Sequence, residues 1–392
     1  MILSREIRDL GAEWSLDIGV IEKDYLLGWL LAGIAHEPRI AETWVFKGGT
    51  CLRKCYYETY RFSEDLDFTV INGGPEAPED LLPIFRSIAD WMRDTSGIQV
   101  EIDETSFRRR QNVRGRPTTQ GRIAYRGPNE PRQLPKVKLD MTSDEVLVDQ
   151  TTLRTVGHQY SDAPLPGSRV VCYSLSELFG EKLRALSERC RPRDLYDVVH
   201  MHRHPDLVGL APAVAAVLAR KCAHAGIAVP TAESIRSSPF RDDIEREWEN
   251  MLGHQLPKPL PPFADFWAAL DEVFAWIAGR VQRVVPQRVE RADLDDTWTA
   301  PRAITSWRRG FPFELIRYAG ANRLKIDIDY RAEEGRQGAR RVEPYSLRQT
   351  KDGNLLLFVV NDRNELRGYR ADRIAGVRPT GETFTPRYLV EF

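Results

Sequence analysis

The run from Tyr25 to Ala35 is almost wholly apolar and is flanked by Glu22, Lys23, Asp24 and His36, too short to cross a bilayer but long enough for a buried helix. Strict alternation takes over in Arg61-Phe62-Ser63-Glu64-Asp65-Leu66-Asp67-Phe68-Thr69-Val70. In a strand, Leu66, Phe68 and Val70 point into a core while Asp65 and Asp67 share the opposite face. The same period recurs in Lys136-Val137-Lys138-Leu139-Asp140-Met141, with Val137, Leu139 and Met141 on one face and Asp140 on the other. Ser174 and Glu177 form a capping-box pattern ahead of an amphipathic helix over 176–188, buried at Leu178, Phe179 and Leu183. A second helix opens after Arg191-Pro192, where Arg193 and Asp197 have the spacing of an ion pair. Beyond the proline-rich joint 257–262, Phe266, Trp267, Leu270, Phe274 and Ile277 predict a helix over 263–281 that packs back on the first domain. Periodicity lapses from Arg283 to Ala303, which reads as a linker. From Pro312 a short helix to Asn322 precedes strands at 324–330, 341–348, 354–360 and 365–369 and a closing strand at 388–392, the pattern of a small β-barrel or sheet. The expected division is residues 1–281, a linker 282–304, and 305–392.

Composition changes this picture little. With 392 residues, 42% apolar and 29% charged, the chain can bury a large core in two or three domains. Its five cysteines show no disulfide framework or zinc ribbon, and no signal peptide opens the chain, so a reducing cytoplasm without membrane attachment is expected. Cys51 and Cys55, one helical turn apart, read as packing residues. The run His200-Met201-His202-Arg203-His204, ending at Pro205, reads as a surface helix end with solvated imidazoles rather than a metal site. The formal charge of −1 hides an asymmetry, because residues 281–392 are net basic and the remainder net acidic. The most polarised stretch, Phe107 to Lys138, holds ten basic residues against the single acid Glu130. Charge alone fits either a polyanion partner or a solvated hairpin. Position favours the polyanion, since the block, with Arg108, Arg109, Arg110, Arg114 and Arg116, leads straight into the strand that carries Asp140.

Asp65, Asp67 and Asp140 form a carboxylate triad of the kind that holds divalent cations between a phosphoryl group and its attacking nucleophile. Mg²⁺ suits such oxygen ligands, with Mn²⁺ as the alternative. Gly48-Gly49-Thr50, fifteen positions ahead of Asp65, offers backbone N–H groups and a helix start to a triphosphate. Lys182, on one face of the capped helix with Ala185 and Arg189, is placed to neutralise charge on a leaving pyrophosphate.

These motifs, in this order, closely resemble the AbiEii/AbiGii nucleotidyltransferase toxins, the group that includes the mycobacterial MenT toxins. The residues that carry the likeness are Phe46-Lys47-Gly48-Gly49-Thr50, Arg61 to Phe68, Lys138-Leu139-Asp140, Glu181 to Leu186 with Arg189, and Arg193-Asp194-Leu195-Tyr196-Asp197. It covers roughly residues 1 to 275. The resemblance implies an α+β, polymerase β-like nucleotidyltransferase domain with a helical C-terminal part. It implies transfer from an NTP with Mg²⁺, in several members to the 3′ end of tRNA, and commonly a separate antitoxin. Carried over, Asp65, Asp67 and Asp140 are metal ligands, Gly48, Gly49, Thr50 and Ser63 line the phosphates, Lys182 contacts the triphosphate and Asp194 is the acid of the last motif. The spacer from Thr50 to Asp65 is longer than in polymerase β-like enzymes with a short gap.

The C-terminal part resembles a WYL domain, an SH3/Sm-like fold, through 326–330, Arg341-Val342-Glu343-Pro344 and Tyr369-Arg370-Ala371-Asp372-Arg373-Ile374, although Leu355-Leu356-Leu357 stands where the signature triplet belongs. That resemblance implies a nucleic-acid or nucleotide ligand, for which Arg341, Arg370 and Arg373 are candidates. The alternative is that these arginines pair with Asp327, Asp329, Glu343 and Asp372 and hold the barrel. The expected whole is a nucleotidyltransferase toxin acting on RNA, most of all tRNA, in phage defence, with a regulatory WYL-like module. Its rivals are nucleotidylation of a protein or small molecule, and a WYL-type regulator whose nucleotide-binding domain is not catalytic.

Overall fold

Strand β1 (Trp44–Lys47) is buried along its whole length, because a strand covered on both faces belongs to the middle of a sheet. Around it lie β2 (Asp65–Val70), β3 (Gln99–Gln111), β4 (Pro117–Arg126), β5 (Lys136–Thr142), β6 (Thr152–Thr155) and β7 (Arg169–Cys172), in the order β3-β4-β5-β2-β1-β7-β6. β2 with β5 and β1 with β7 pair in parallel, and the other neighbours are antiparallel. The observed burial of β2 follows its alternation, with Leu66 and Phe68 buried and Asp65 and Asp67 half-buried. Trp44, Phe46 and Phe68 meet on the core face with ring centroids 5.2–5.3 Å apart. The helix Pro78–Ser96 covers that face with Leu81, Ile84, Phe85, Ile88 and Met92. The expected apolar helix is Ile18–His36, capped by the Asp17 carboxylate accepting from Gly19 N–H at 2.8 Å.

The computed structural model describes residues 1–392 except 113–114, 130–132, 164–166, 299–310, 334 and 336. The chain folds into two compact units, the first made of Met1–Gly11, Asp17–Cys190 and Leu210–Pro239, the second of Ala12–Leu16, Arg191–Gly209 and Phe240–Phe392. No helix among the described residues is long and apolar enough to cross a membrane.

In the second unit, the helix Phe313–Ala321 leads into β8 (Leu324–Arg331), β9 (Gln337–Gln349), β10 (Leu355–Asn361), β11 (Leu366–Arg370) and β12 (Ile374–Thr383). They form one antiparallel sheet in the order β11-β10-β9-β8-β12. β11 and β12 are its two ends, so among the described residues the ladder is an open sheet, the second of the two forms expected. The last strand is Ile374–Thr383 rather than 388–392, since β12 takes the place beside β8. Residues 388–392 are irregular but anchored, with Leu389 N–H donating to Gln287 O at 2.9 Å and Glu391 N–H to Tyr345 O at 2.8 Å.

Three further expectations change here. The stretch read as a linker is packed in its described part, because Val289 and Leu294 are each 2% exposed and sit against Leu356 and Phe358. The expected helix over 263–281 is two short helices, Phe263–Ala268 and Leu270–Ile277, and Phe266 stacks on Tyr196 of the helix Pro192–Arg203 within the same unit (5.4 Å, 11° between planes). That cover also buries His200 and His202, which the sequence assigned to solvent. His202 meets the Trp276 ring at 5.3 Å, and burial with nearby arginines pulls its imidazole down to about 3, so it is neutral.

Candidate active site

Register places the functional side chains. Across β1, β2, β5, β4 and β3, Lys47, Asp67, Asp140, Gln120 and Arg108 stand opposite one another in succession, so all five share one face of the sheet. Asp65, two residues before Asp67, lies on the same face in a second row with Lys138 and Arg122. The sheet therefore brings Asp65, Asp67 and Asp140 together from two parallel strands, as the alternation implied. The Asp140 carboxylate accepts from Gln120 Nε2 at 3.1 Å and pairs with the Lys138 ammonium.

Concentrated negative charge has a measurable consequence at Asp67. Burial and the neighbouring Asp140 push its carboxyl up to about 6, Asp65 adds to the rise, and Lys47 and Lys182 oppose it. Like charges that share one face of a fixed sheet and act on one another are relieved by a cation bound there. The donor set, carboxylate oxygens alone, fits a hard divalent ion.

The turn after β1 supplies the other wall. Gly48 has φ +81°, and a Cβ on it would lie 2.3 Å from Asp67 Oδ2, so only glycine lets the backbone run this close to the carboxylates. A Cβ on Gly49 would fall 2.8 Å from an Arg61 guanidinium nitrogen and 2.9 Å from Ser63 Oγ. Gly49, Ser63 and Arg61 thus face one another at the start of the helical segment 48–56, and Arg61 is a phosphate-binding candidate the sequence reading did not name. The Thr50 hydroxyl is turned away, donating to Asp65 O at 2.5 Å and tying this segment to β2.

Lys182 is buried on the helix Leu175–Arg189 and acts electrostatically on Asp67. Ser174 Oγ caps that helix by accepting from Glu177 N–H at 3.1 Å. Glu177 does not complete the capping box. Its carboxylate instead accepts from Asp149 N–H at 2.9 Å and meets the buried Lys221 ammonium at 2.8 Å. Lys221 also reaches Glu181 at 3.0 Å, and Glu181 lies 3.5 Å from Lys47. This buried chain of charges fixes the helix that carries Lys182 and ends beside Asp67. Lys47 was legible only as part of the Phe46-Lys47-Gly48-Gly49-Thr50 motif; its role depends on pairing between β1 and β2.

Of the arginine block, Arg108 and Arg110 share the carboxylate face, whereas Arg109 alternates to the other and lies 3.5 Å from Glu76. Arg116 is exposed, 3.9 Å from Asp144, and Arg114 lies outside the described residues. Asp194 is buried near the start of the helix Pro192–Arg203 in the second unit. On the C-terminal sheet Arg341 pairs with Asp327 at 2.9 Å and with Glu382, Arg370 with Asp372 at 2.8 Å, and Arg373 with Glu333 at 3.1 Å. Cys51 and Cys55 are buried, but they have a third partner that sequence distance hid: β7 brings Cys172 to them, the three sulfurs within 4.8 Å of one another.

A family model described as nucleotidyl transferase AbiEii toxin, type IV toxin–antitoxin system, matches residues 29–276, and a WYL domain model matches residues 313–379. Among solved structures, MenT4, a nucleotidyltransferase toxin from Mycobacterium tuberculosis H37Rv, is similar at 19% identity over 71% of this chain and 90% of its own, with a TM-score of 0.49. The proteasome accessory factor B/C (PafBC) of Arthrobacter aurescens is aligned at 11% identity over 94% of this chain and 72% of its own, with a TM-score of 0.19. No curated protein matches the chain.

Proposed function

Because the chain belongs to the AbiEii nucleotidyltransferase toxin family and carries a WYL domain, we propose that it transfers a nucleotide from an NTP to the 3′ end of RNA, tRNA above all, with Mg²⁺. The observation that carries this reading is the row of Asp67 and Asp140 across β2 and β5, with Asp65 beside it and Gly48 against it. Asp65, Asp67 and Asp140 would hold the divalent ion, which when bound supplies charge neutralisation and a lowered hydroxyl pKa. Gly49, Ser63 and Arg61 receive phosphate oxygens, and Lys182 balances charge on the departing pyrophosphate. The acceptor 3′ hydroxyl attacks the α-phosphorus in line; the bond to the β-phosphate oxygen breaks and the hydroxyl proton leaves to solvent.

RNA is favoured over a protein acceptor by Arg108, Arg110 and Arg122, which continue the carboxylate face outward as a cationic path that polynucleotide phosphates can follow. Arg109 points away from it. The family description as a type IV toxin–antitoxin system supports restraint by an antitoxin partner, and the WYL domain supports a regulatory role for the C-terminal sheet. Incubation with each of the four labelled NTPs and total cellular RNA and protein tests the reading. Label in an RNA band supports it, and label confined to protein contradicts it.

A further inference from the structure

A cavity of about 600 Å³ lies wholly within the second unit. The end of the helix Pro192–Arg203, the two helices between 263 and 277, residues 282–286, the turn into β8 and the segment 383–390 line it. Its lining includes three guanidinium groups, Arg203, Arg283 and Arg323, and two carboxylates, Asp265 and Glu272. Both carboxylates act on Arg203, whose guanidinium also rests 4.6 Å from the Phe266 ring centre. Neither acts on Arg323. Among the described residues its guanidinium makes one hydrogen bond, to Gly320 O at 3.1 Å, and no ion pair. Burial pulls Arg323 down to about 9, and Arg203 and Arg283 push the same way.

A second observation points into the same space. His202 lines the cavity, is 3% exposed, and its Nε2 is buried without a hydrogen-bond partner among the described residues. A half-buried cation without a counter-charge and a buried ring nitrogen without a partner are both unfavourable where the protein keeps water away. One anion that also accepts or donates a hydrogen bond would relieve both. Guanidinium forks match phosphate oxygens in pairs, and the volume suits a ligand of nucleotide size. Tyr388 and Leu389 add an apolar wall, which free phosphate would not use and a nucleoside would.

We propose that this cavity binds a phosphorylated nucleoside, its phosphate on Arg323 and Arg283 and hydrogen-bonded by His202. The site shares no residue with the carboxylate row or with the paired arginines of the C-terminal sheet. It does not rest on the nucleotidyl-transfer reading, and either can fail while the other stands. The ligand could be a free mononucleotide or the phosphorylated end of a strand, since both present the same group.

Calorimetric titration of the full chain carrying Asp67→Asn, in EDTA to silence metal-dependent NTP binding, tests the site. The probes are the four nucleoside 5′-monophosphates, a 5′-phosphorylated and an unphosphorylated pentanucleotide, inorganic phosphate and citrate. Binding of a monophosphate or of the phosphorylated strand is expected, and whichever is tighter identifies the source. Arg323→Asn, chosen because Asn tolerates the positive φ of 61° at this position, should weaken it about tenfold or more, with Arg323→Lys intermediate. His202→Gln gives an independent reading if Arg323→Asn does not fold, as judged by near-UV circular dichroism. No binding of any phosphorylated probe at millimolar concentration overturns the proposal. So does binding that both variants leave unchanged, or citrate binding as tightly as the nucleotides.

Discussion

Asp67 carries an opposition between stability and function. Its carboxyl, raised to about 6, takes up a proton on folding between about pH 4 and 6, so the metal-free protein loses stability as pH rises through that window and bears the full penalty above it. The shift corresponds to about 3 kcal/mol. Asp67→Asn should therefore stabilise the chain in EDTA at pH 8 by up to that amount, with the gain vanishing near pH 4, while nucleotidyl transfer is abolished. Urea unfolding at the two pH values measures the first and label transfer the second; equal gains at both pH values would remove the electrostatic explanation. Gly48→Ala should abolish transfer as well, because the added methyl would collide with Asp67 Oδ2. The pairing of Asp65 with Asp67 was legible from period two alone, and Asp140 from the same rule on β5. What period could not say was which strands are neighbours, so Lys47, Gln120 and the separation of Arg108 from Arg109 became visible only with the register. That separation is testable. Arg108→Ala with Arg110→Ala should weaken RNA binding and flatten its salt dependence, whereas Arg109→Ala should change both little. Equal effects from all three would put the RNA path elsewhere.

At the level of elements, the helix Leu175–Arg189 shows how a local signal can be half used. Ser174 caps it as the sequence pattern implies, yet Glu177 is drawn to Lys221 and the backbone of 148–149, because a buried ammonium is a stronger partner than the N-cap amide. Burial opposes the charge on Lys221, and Glu181, Tyr173 and Glu177 more than restore it, holding its ammonium above the usual range. Lys221→Met should strand the buried Glu177 carboxylate, remove one of the cations beside Glu181, and destabilise the protein by about 3–5 kcal/mol. Adding Glu177→Gln should recover part of that loss; a double variant less stable than the single one would show that Glu177 acts through the backbone of 148–149 instead. The cysteine trio makes a similar point, since Cys51 and Cys55 are joined by a residue more than a hundred positions away through the parallel pairing of β7 with β1.

For the molecule as a whole, the chain's linear order misleads about where compact units end. The sequence places a domain limit at 281 and a linker after it, but the second unit draws on 191–209 as well as on the C-terminal sheet, and Tyr196 donates to Asn322 at 3.0 Å across that limit. Loss of periodicity over the described residues 283–298 reflects irregular backbone, not absence of packing, because Val289 and Leu294 fill the sheet's core without forming a helix or strand. A fragment ending at 281 should accordingly bind more hydrophobic dye and melt several degrees below the full chain; equal thermal stability would show that residues 1–281 fold independently. Function at this scale turns on whether the carboxylate row joins a nucleotide to an RNA 3′ hydroxyl. Label transfer from NTP to purified tRNA decides it, run with the full chain and with Asp67→Asn, on intact tRNA and on tRNA whose 3′ terminus has been oxidised by periodate. Label is predicted only for the unaltered chain on intact tRNA, and label on the oxidised tRNA, or from the Asp67→Asn protein, would contradict that role for the row.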